Sequence, residues 1–298
     1  MLINSQNLQM LFKGFKSIYT NAFEQTESHY SKIAMTVSSS TREEEYGWLG
    51  QFPELREWIG DRHINRLRAD GFKIRNRKFE STVEVKRDDI ADDTIGLYRP
   101  MLSEMGRVTK QHPDTLVFKL LRDGFTTKCY DGQNFFDEEH PLSGPGTPLA
   151  DQAVSNMQPG AGPAWFLLDT SREVKPIIWQ EREKYEFQAV NDHNDTEVFL
   201  KDRYLYGIRA RVNCGFGLWQ LAFGSKAGLT PDNFADARSR MMDFRGDRGH
   251  LLGISPKLLV VPPALEADAR RLLMADVIDG TSNIWRGAAD LLVTHYVG

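Results

Sequence analysis

The stretch DDTIGLYRPMLSEMGRVTKQHPDTLVFKLLRDG, residues 92–124, decides the fold. Ile95, Tyr98, Met101, Leu102, Met105 and Val108 recur every three or four residues, the period of one helix face. Asp92-Asp93-Thr94 offers an N-cap. Pro100 either kinks this helix or sets its true start, because its ring has no N–H and clashes with a preceding turn. His112-Pro113 interrupts the pattern, and Pro113 suits the first position of a continuation. Leu116, Val117, Leu120 and Leu121 carry the stripe on, and Gly124 ends it as a C-cap. The result is a long, interrupted helix with one apolar face that must lie against something.

Toward the N-terminus, Phe72-Lys73-Ile74-Arg75 and Thr82-Val83-Glu84-Val85-Lys86 alternate apolar and charged residues. They read as the two strands of a long hairpin. Trp48, Phe52 and Trp58 are aromatic anchors ahead of it, and Arg62, Arg66, Arg68, Lys73, Arg75, Arg77 and Lys78 make this region basic. Those charges read as a solvated ribbon face, as contacts to an acidic patch on a neighbour, or as a nucleic-acid surface. The last lacks interleaved stacking aromatics. Further upstream, Leu8, Leu11, Phe12, Phe15, Ile18, Tyr19 and Phe23 give an amphipathic helix. It lies either on its own domain or, as an arm, over another subunit. Ile33 to Ser40 lapses into a Ser/Thr-rich stretch.

Toward the C-terminus, Gly144 to Pro163 is a proline- and glycine-rich loop. Strands follow at Trp165–Leu168, Ile177–Trp179, Tyr204–Ile208, Gly217–Ala222, Leu258–Val261 and Leu291–Val293. Thr230-Pro231 opens a helix with Phe234, Ala237, Met241 and Met242 on one face, and Pro262-Pro263 leads into another with Leu265, Ala269, Leu272 and Leu273 inward. The second half is thus an α+β domain with a central sheet. The first half is extended pieces around one long helix. Such pieces bury little within one chain and find burial against copies of it.

The bulk composition excludes several classes. Of 298 residues, 41% are hydrophobic and 26% charged, and 37 basic against 41 acidic residues leave a net charge of −4. This is a globular composition with no overall pull toward nucleic acid or an anionic membrane. Two cysteines, Cys129 and Cys214, cannot build a disulfide scaffold or a zinc knuckle, and read as small core residues. The N-terminus lacks the pattern of a signal peptide, and no apolar run approaches the ~20 residues a membrane span needs, so folding in a cytoplasm is expected. No Walker loop or Gly-x-Ser-x-Gly elbow is present. The turn Asp137-Glu138-Glu139-His140, with Asp131 nearby, has groups that could serve a metal or acid–base chemistry, but adjacent turn residues point in different directions. Asp192-His193-Asn194-Asp195 reads as a polar turn. No catalytic residue, cofactor site or metal site is therefore assigned.

Five phrases, in order along the chain, together resemble one family. They are Phe79–Ile90; Tyr130–Asp137 with His140-Pro141-Leu142; Leu168–Arg172 with Lys175–Ile178; Tyr206–Arg211 with Gly217–Gln220; and Asn283–Gly287. The chain resembles the major head subunit, or major capsid protein, of Mu-like phages and prophages. That resemblance implies the Hong Kong 97-like capsid fold, with residues 1–40 as the N-terminal arm and 46–90 as the extended loop. Residues 91–143 would be a peripheral domain with the spine helix. Residues 144–298 would be mainly the axial domain, with strands returning to the peripheral domain. It implies hexamers and pentamers in an icosahedral shell around double-stranded DNA, held without sequence-specific binding. A scaffolding protein, a portal and a maturation protease are the implied partners, with no membrane. The expected subunit-interface residues are Phe72, Ile74, Arg75, Arg77, Lys78, Phe12 and Phe15. Aspartate at positions 72 and 74 is expected to block assembly and spare the fold. The alternatives are an encapsulin-like compartment, a metal-dependent hydrolase using residues 137–140, and a nucleic-acid module using Arg62 to Lys78.

Overall fold

A computed structural model describes residues 2–50, 71–141, 153–192, 194–246 and 249–298. Phe52, Trp58, Arg62, Arg66, Arg68, His193 and the start of the Gly144–Pro163 loop lie outside the described residues. The helices are α1 (Ser5–Gln25), α2 (Tyr30–Ile33), α3 (Arg87–Ala91), α4 (Arg99–Arg122), α5 (Thr196–Lys201), α6 (Pro231–Met242) and α7 (Glu266–Met274). The early strands are β1 (Ala34–Ser38), β2 (Glu43–Tyr46), β3 (Phe72–Arg75), β4 (Arg77–Lys86), β5 (His140–Pro141), β6 (Ala153–Val154) and β7 (Met157–Gln158). The later ones are β8 (Trp165–Leu168), β9 (Ile177–Val190), β10 (Arg203–Phe216), β11 (Ala222–Ser225), β12 (Leu258–Val261), β13 (Val277–Ile278), β14 (Thr281–Ser282) and β15 (Asp290–Val293).

Helix α4 runs unbroken through Pro113. The sequence reading placed an interruption there, since a helix-interior proline costs about 3 kcal/mol. Leu102 and Met105 are buried on one side of Pro113 and Val117, Phe118 and Leu121 on the other, so packing on both sides holds the helix together. The helix begins at Arg99 with Pro100 in its first turn, and a 3₁₀ turn over Ile95–Tyr98 precedes it. The Thr94 hydroxyl donates to the Asp89 carbonyl and does not cap. Gly124 is not a left-handed cap either. A Cβ there would meet the Phe136 ring at 2.8 Å, so glycine permits a close approach.

The N-terminal helix packs on its own chain. The Asn4 side chain accepts the Asn7 N–H at 2.8 Å and caps α1, which buries Leu8, Leu11, Phe15 and Tyr19. Its backbone crosses α4 at Gly106, where a Cβ would lie 2.4 Å from the Tyr19 carbonyl. The stretch after it is also ordered: β1 pairs in parallel with the start of β9.

Two sheets flank α4. The first has the order β1-β9-β10-β4, with β9, β10 and β4 antiparallel. The second, β15-β12-β8-β11-β7, is mixed. Met157-Gln158 joins it, although the proline-rich surroundings had read as loop throughout. Gly217 to Ala222 is not one strand; a 3₁₀ turn at Trp219–Leu221 leads into β11. One core gathers α1, the first half of α4 and the far end of the first sheet around Phe15, Phe187, Tyr204 and Tyr206. A larger core joins the second half of α4 to the second sheet around Phe118, Phe136, Trp165 and Trp219. The hydrophobic stripe of α4 serves both, which is why one helix face needed to be so long.

The ribbon strands pair differently from the sequence expectation. β3 and β4 follow each other with only Asn76 between them, so they cannot form one hairpin. β3 pairs with β2, from Glu43↔Arg75 to Tyr46↔Phe72. β4 pairs instead with β10 over Arg77–Lys86.

Candidate functional site

The ribbon is rooted in a buried polar network at the β3–β4 junction. The Gln180 amide nitrogen donates to the Ile74 carbonyl at 3.1 Å and to Asn76 Oδ1 at 2.8 Å, while Gln180 Oε1 accepts the Tyr46 hydroxyl at 2.8 Å. Asn76 donates onward to Ser39 Oγ and the Thr41 carbonyl. Every group is paired, which fixes where the ribbon leaves the core.

Ile74 is part of that core. It is 3% exposed, and a Cβ on Gly215 would fall 2.3 Å from its Cδ1. Phe72 is half-buried beside the same glycine. Aspartate at 74 would bury a carboxylate in an apolar pocket and test folding, which corrects the expectation that it spares the fold. Phe15 is likewise buried, edge-on to Tyr206 at 4.9 Å, and half-buried Phe12 packs on Phe187 at 5.7 Å. Both serve the chain's own core. Arg75, Arg77 and Lys78 are exposed. Apolar residues that no sequence pattern singled out, Leu97, Phe199 and Leu200, are also exposed, as is Ile284 of the Asn283–Gly287 phrase.

The turn ahead of β2 is set by one carboxylate. Glu44 Oε1 accepts from the backbone N–H groups of Ser40 and Thr41 and from the hydroxyls of Ser39 and Thr41. The Thr41 N–H first, then Ser39 and Ser40, hold the carboxyl down to about 2. A depressed carboxyl stabilises the folded turn above its ordinary value near 4.5, and that stabilisation is lost as pH falls through about 2. Amide exchange at Ser40 and Thr41 is therefore expected to quicken on acidification over that window. Glu44→Gln is expected to remove the pH dependence, and exchange that stays pH-independent in the parent chain, once corrected for intrinsic rates, would contradict this.

The acidic turn behaves as its geometry allows. Asp137 Oδ2 accepts from the Asn134 amides and Oδ1 from the Glu139 N–H, while Glu138 and Glu139 are exposed. Those carboxylates do not converge with His140. The fully buried His140 turns inward, stacked on Trp219 at 4.0 Å with its planes 10° apart. Its Nδ1 is 2.7 Å from Asp131 Oδ2, and its Nε2 is 3.1 Å from Asn156 Oδ1. The Cys129 thiol donates to Asp131 Oδ1 at 3.1 Å, so Cys129 is more than a space-filling core residue. Burial pushes the Asp131 carboxyl up, but the hydrogen bond and charge of His140, with Cys129 and the Gln133 N–H, hold it below its usual value. Burial, then Asp131, pushes the Cys129 thiol up. Cys214 stands apart beside the Leu116 carbonyl, and burial pushes its thiol up to about 12. The Cys129 thiol and a His140 ring nitrogen, by contrast, lie within 4.8 Å of each other, both held by Asp131.

The chain is matched over residues 8–297 by the family model described as the Mu-like prophage major head subunit gpT. It belongs to the Mu-like prophage major head subunit family. Among relatives, the major capsid protein of Escherichia phage Mu is 42% identical over all of both chains. The Mu-like prophage FluMu major head subunit of Haemophilus influenzae is 41% identical, over 89% of this chain and 88% of its own. Among solved structures, the procapsid of bacteriophage JBD30 aligns with a TM-score of 0.86 at 43% identity, covering 99% of this chain and 100% of that one. The JBD30 capsid aligns at 0.80 with 31% identity over 94% of each chain. This head subunit is a structural protein of the virion shell, of mixed α+β capsid fold. No helix among the described residues is long and apolar enough to cross a membrane.

Proposed function

We propose that copies of this head subunit assemble as hexamers and pentamers into a closed icosahedral shell of the Hong Kong 97-like type, enclosing double-stranded DNA without reading its sequence. The full-length likeness to the procapsid chain of JBD30 carries this reading. In that assignment α4 is the spine helix, the first sheet belongs to the peripheral domain, and the second sheet with α6 and α7 forms the axial domain. The ribbon based on β2 and β3 is the extended loop. A net charge of −4 suits a container that does not grip its contents. A scaffolding protein, a portal and a maturation protease act with it during assembly. Decoration by minor capsid protein trimers, named for the JBD30 capsid, is proposed for this shell too. No reaction is assigned to the subunit, and the shell holds DNA where an encapsulin holds a cargo enzyme.

Size-exclusion chromatography with negative-stain electron microscopy tests this, on the subunit with and without co-expressed head proteins. Shells, tubes or ring-shaped capsomers are expected. A strictly monomeric protein under both conditions would refute it. Exposed Arg75 at the end of the ribbon and exposed Arg77 and Lys78 at the start of β4 are proposed to meet a neighbouring copy, as are exposed Leu97, Phe199 and Leu200. Replacing Arg75, Arg77 and Lys78 together by glutamate is expected to cut shell yield at least tenfold while thermal stability changes little, since exposed charges contribute about 0–1 kcal/mol each. Parental shell yield from the triple variant would remove this surface from the interface.

A further inference from the structure

We propose that Cys129, Asp131 and His140 form a binding site for a zinc-type divalent cation within the head subunit. One ligand atom from each, a thiol sulfur, a carboxylate oxygen and a ring nitrogen, lie within 4.8 Å of one another. The tautomer is fixed from behind. Asn156 Nδ2 donates to the Phe135 and Ala222 carbonyls at 2.8 and 3.3 Å, so its Oδ1 is the acceptor that faces His140 Nε2. Nε2 therefore carries a hydrogen, and Nδ1 is the nitrogen turned toward Asp131 and Cys129. An outer-shell carbonyl orienting a ring through its far nitrogen is the arrangement found behind histidine ligands.

Two protons currently hold the three donors together, one on the Cys129 thiol and one between His140 Nδ1 and Asp131 Oδ2. A divalent cation replaces both: Sγ–H and Nδ1–H bonds break, two protons leave to solvent, and three metal–ligand bonds form. The thiol, together with the carboxylate and imidazole sharing one proton, sums to zero charge. Thiolate, carboxylate, neutral imidazole and a doubly charged cation also sum to zero. The exchange thus adds no net charge to a buried site, the main cost such a site would otherwise face. Asp131 Oδ1 keeps the Gln133 N–H at 3.0 Å, leaving Oδ2 as the ligand. One S, one N and one O donor select zinc or cobalt over magnesium or calcium, which require oxygen. Tetrahedral bonds of about 2.0–2.3 Å need the donors about 3.3–3.8 Å apart, so the 2.7 Å contact of His140 Nδ1 with Asp131 Oδ2 must open by roughly half an ångström, while the Cys129 thiol, within 4.8 Å of the others, closes on the metal. Asp131 sits in a turn beside exposed Gly132, where that displacement is small. Bound there, the cation would staple the turn over residues 129–134 to β5 beneath the Trp219 ring.

The test uses the intact purified subunit, stripped of metal and titrated with cobalt(II) and zinc. One equivalent is expected to bind, with the intense near-ultraviolet thiolate-to-cobalt absorption. Its affinity should rise up to about 100-fold per pH unit while two protons are displaced. Cys129→Ser is expected to abolish that absorption and the zinc-induced rise in melting temperature. If that variant does not fold, X-ray absorption on the zinc-loaded parent chain decides, with one sulfur and one imidazole expected around the metal. No stoichiometric uptake by the folded parent overturns the proposal. So does a shell of light atoms only, a shell with two sulfurs, or a thiolate band that survives in Cys129→Ser.

Discussion

Asp114→Ala is expected to lower the unfolding free energy of the free subunit by about 3–4 kcal/mol, from the loss of several hydrogen bonds to one buried carboxylate. Asp114 is 3% exposed on α4, and it is the attachment point for the chain that leaves α1. Its carboxylate accepts the Ser28 hydroxyl at 2.8 Å, the His29 N–H at 2.9 Å and the Tyr30 N–H at 2.7 Å. These are donors at the start of α2, which no carbonyl of that short helix can satisfy. Alanine leaves these half-buried donors without that acceptor. β1 follows α2 directly and pairs with β9, so the whole segment from α1 to β1 is expected to loosen together. Asp114→Asn keeps one acceptor oxygen and is expected to lose about half as much. Urea unfolding of the three proteins measures this, and limited proteolysis after α1 should locate it. An alanine variant within about 0.5 kcal/mol of the parent would show that the carboxylate is not what anchors the segment.

The elements legible in the sequence are those whose pattern is local. α1, α6 and α7 repeat apolar residues at helical spacing, and β8 and β12 are short apolar runs, so each could be read without knowing its neighbour. Pairing was not legible. Phe72–Arg75 and Thr82–Lys86 alternate like two arms of a hairpin, yet their partners, β2 and β10, lie about 30 and 120 residues away in opposite directions along the chain. Alternation says that a face is buried and is silent on which strand lies beside it. Ile74 illustrates the consequence: an apolar residue between two charges looks available to a neighbour, and only Gly215 reveals that its pocket is internal.

The buried cluster was hidden for a similar reason. Cys129, Asp131 and His140 have no metal-ligand spacing, and His140 reaches Asp131 only because the intervening chain folds back. The phrases that carried the family resemblance nonetheless contain such positions. Asp169 is fully buried and accepts the N–H groups of Ser171 and Ser255. Asn283 donates to the Leu272 and Ala275 carbonyls and accepts the Trp285 N–H. Like Asp131 and His140, these side chains substitute for secondary structure in irregular segments, where few residue types serve. A phrase built on such a hub is recognisable before its partners are known.

Asn156→Leu is expected to cost about 4 kcal/mol, since it strips several buried groups of partners at once. Asn156 is fully buried. Its Oδ1 accepts the Asp137 N–H at 2.9 Å and His140 Nε2 at 3.1 Å, and its Nδ2 donates to Phe135 at 2.8 Å. Leucine keeps the branching at Cγ without the polar atoms and is bulkier, so none of the loss comes from a cavity. Asn156→Asp separates the contributions. It keeps both acceptor positions but sets an oxygen against the Phe135 carbonyl, so the buried aspartate is expected to favour its protonated form. A folded-state carboxyl raised above its ordinary value adds to stability below that value and costs stability above it. The aspartate variant should therefore fall furthest short of the parent near neutral pH and recover toward pH 5, while the leucine variant stays low throughout. Urea unfolding at both pH values reads the difference. If leucine is tolerated within about 1 kcal/mol, the side chain is not the hub that joins the Phe135–His140 segment to the second sheet. That join would then rest on the Asn156 backbone hydrogen bonds and on the ring contacts of Phe135 with Phe216, Phe136 with Phe166 and His140 with Trp219.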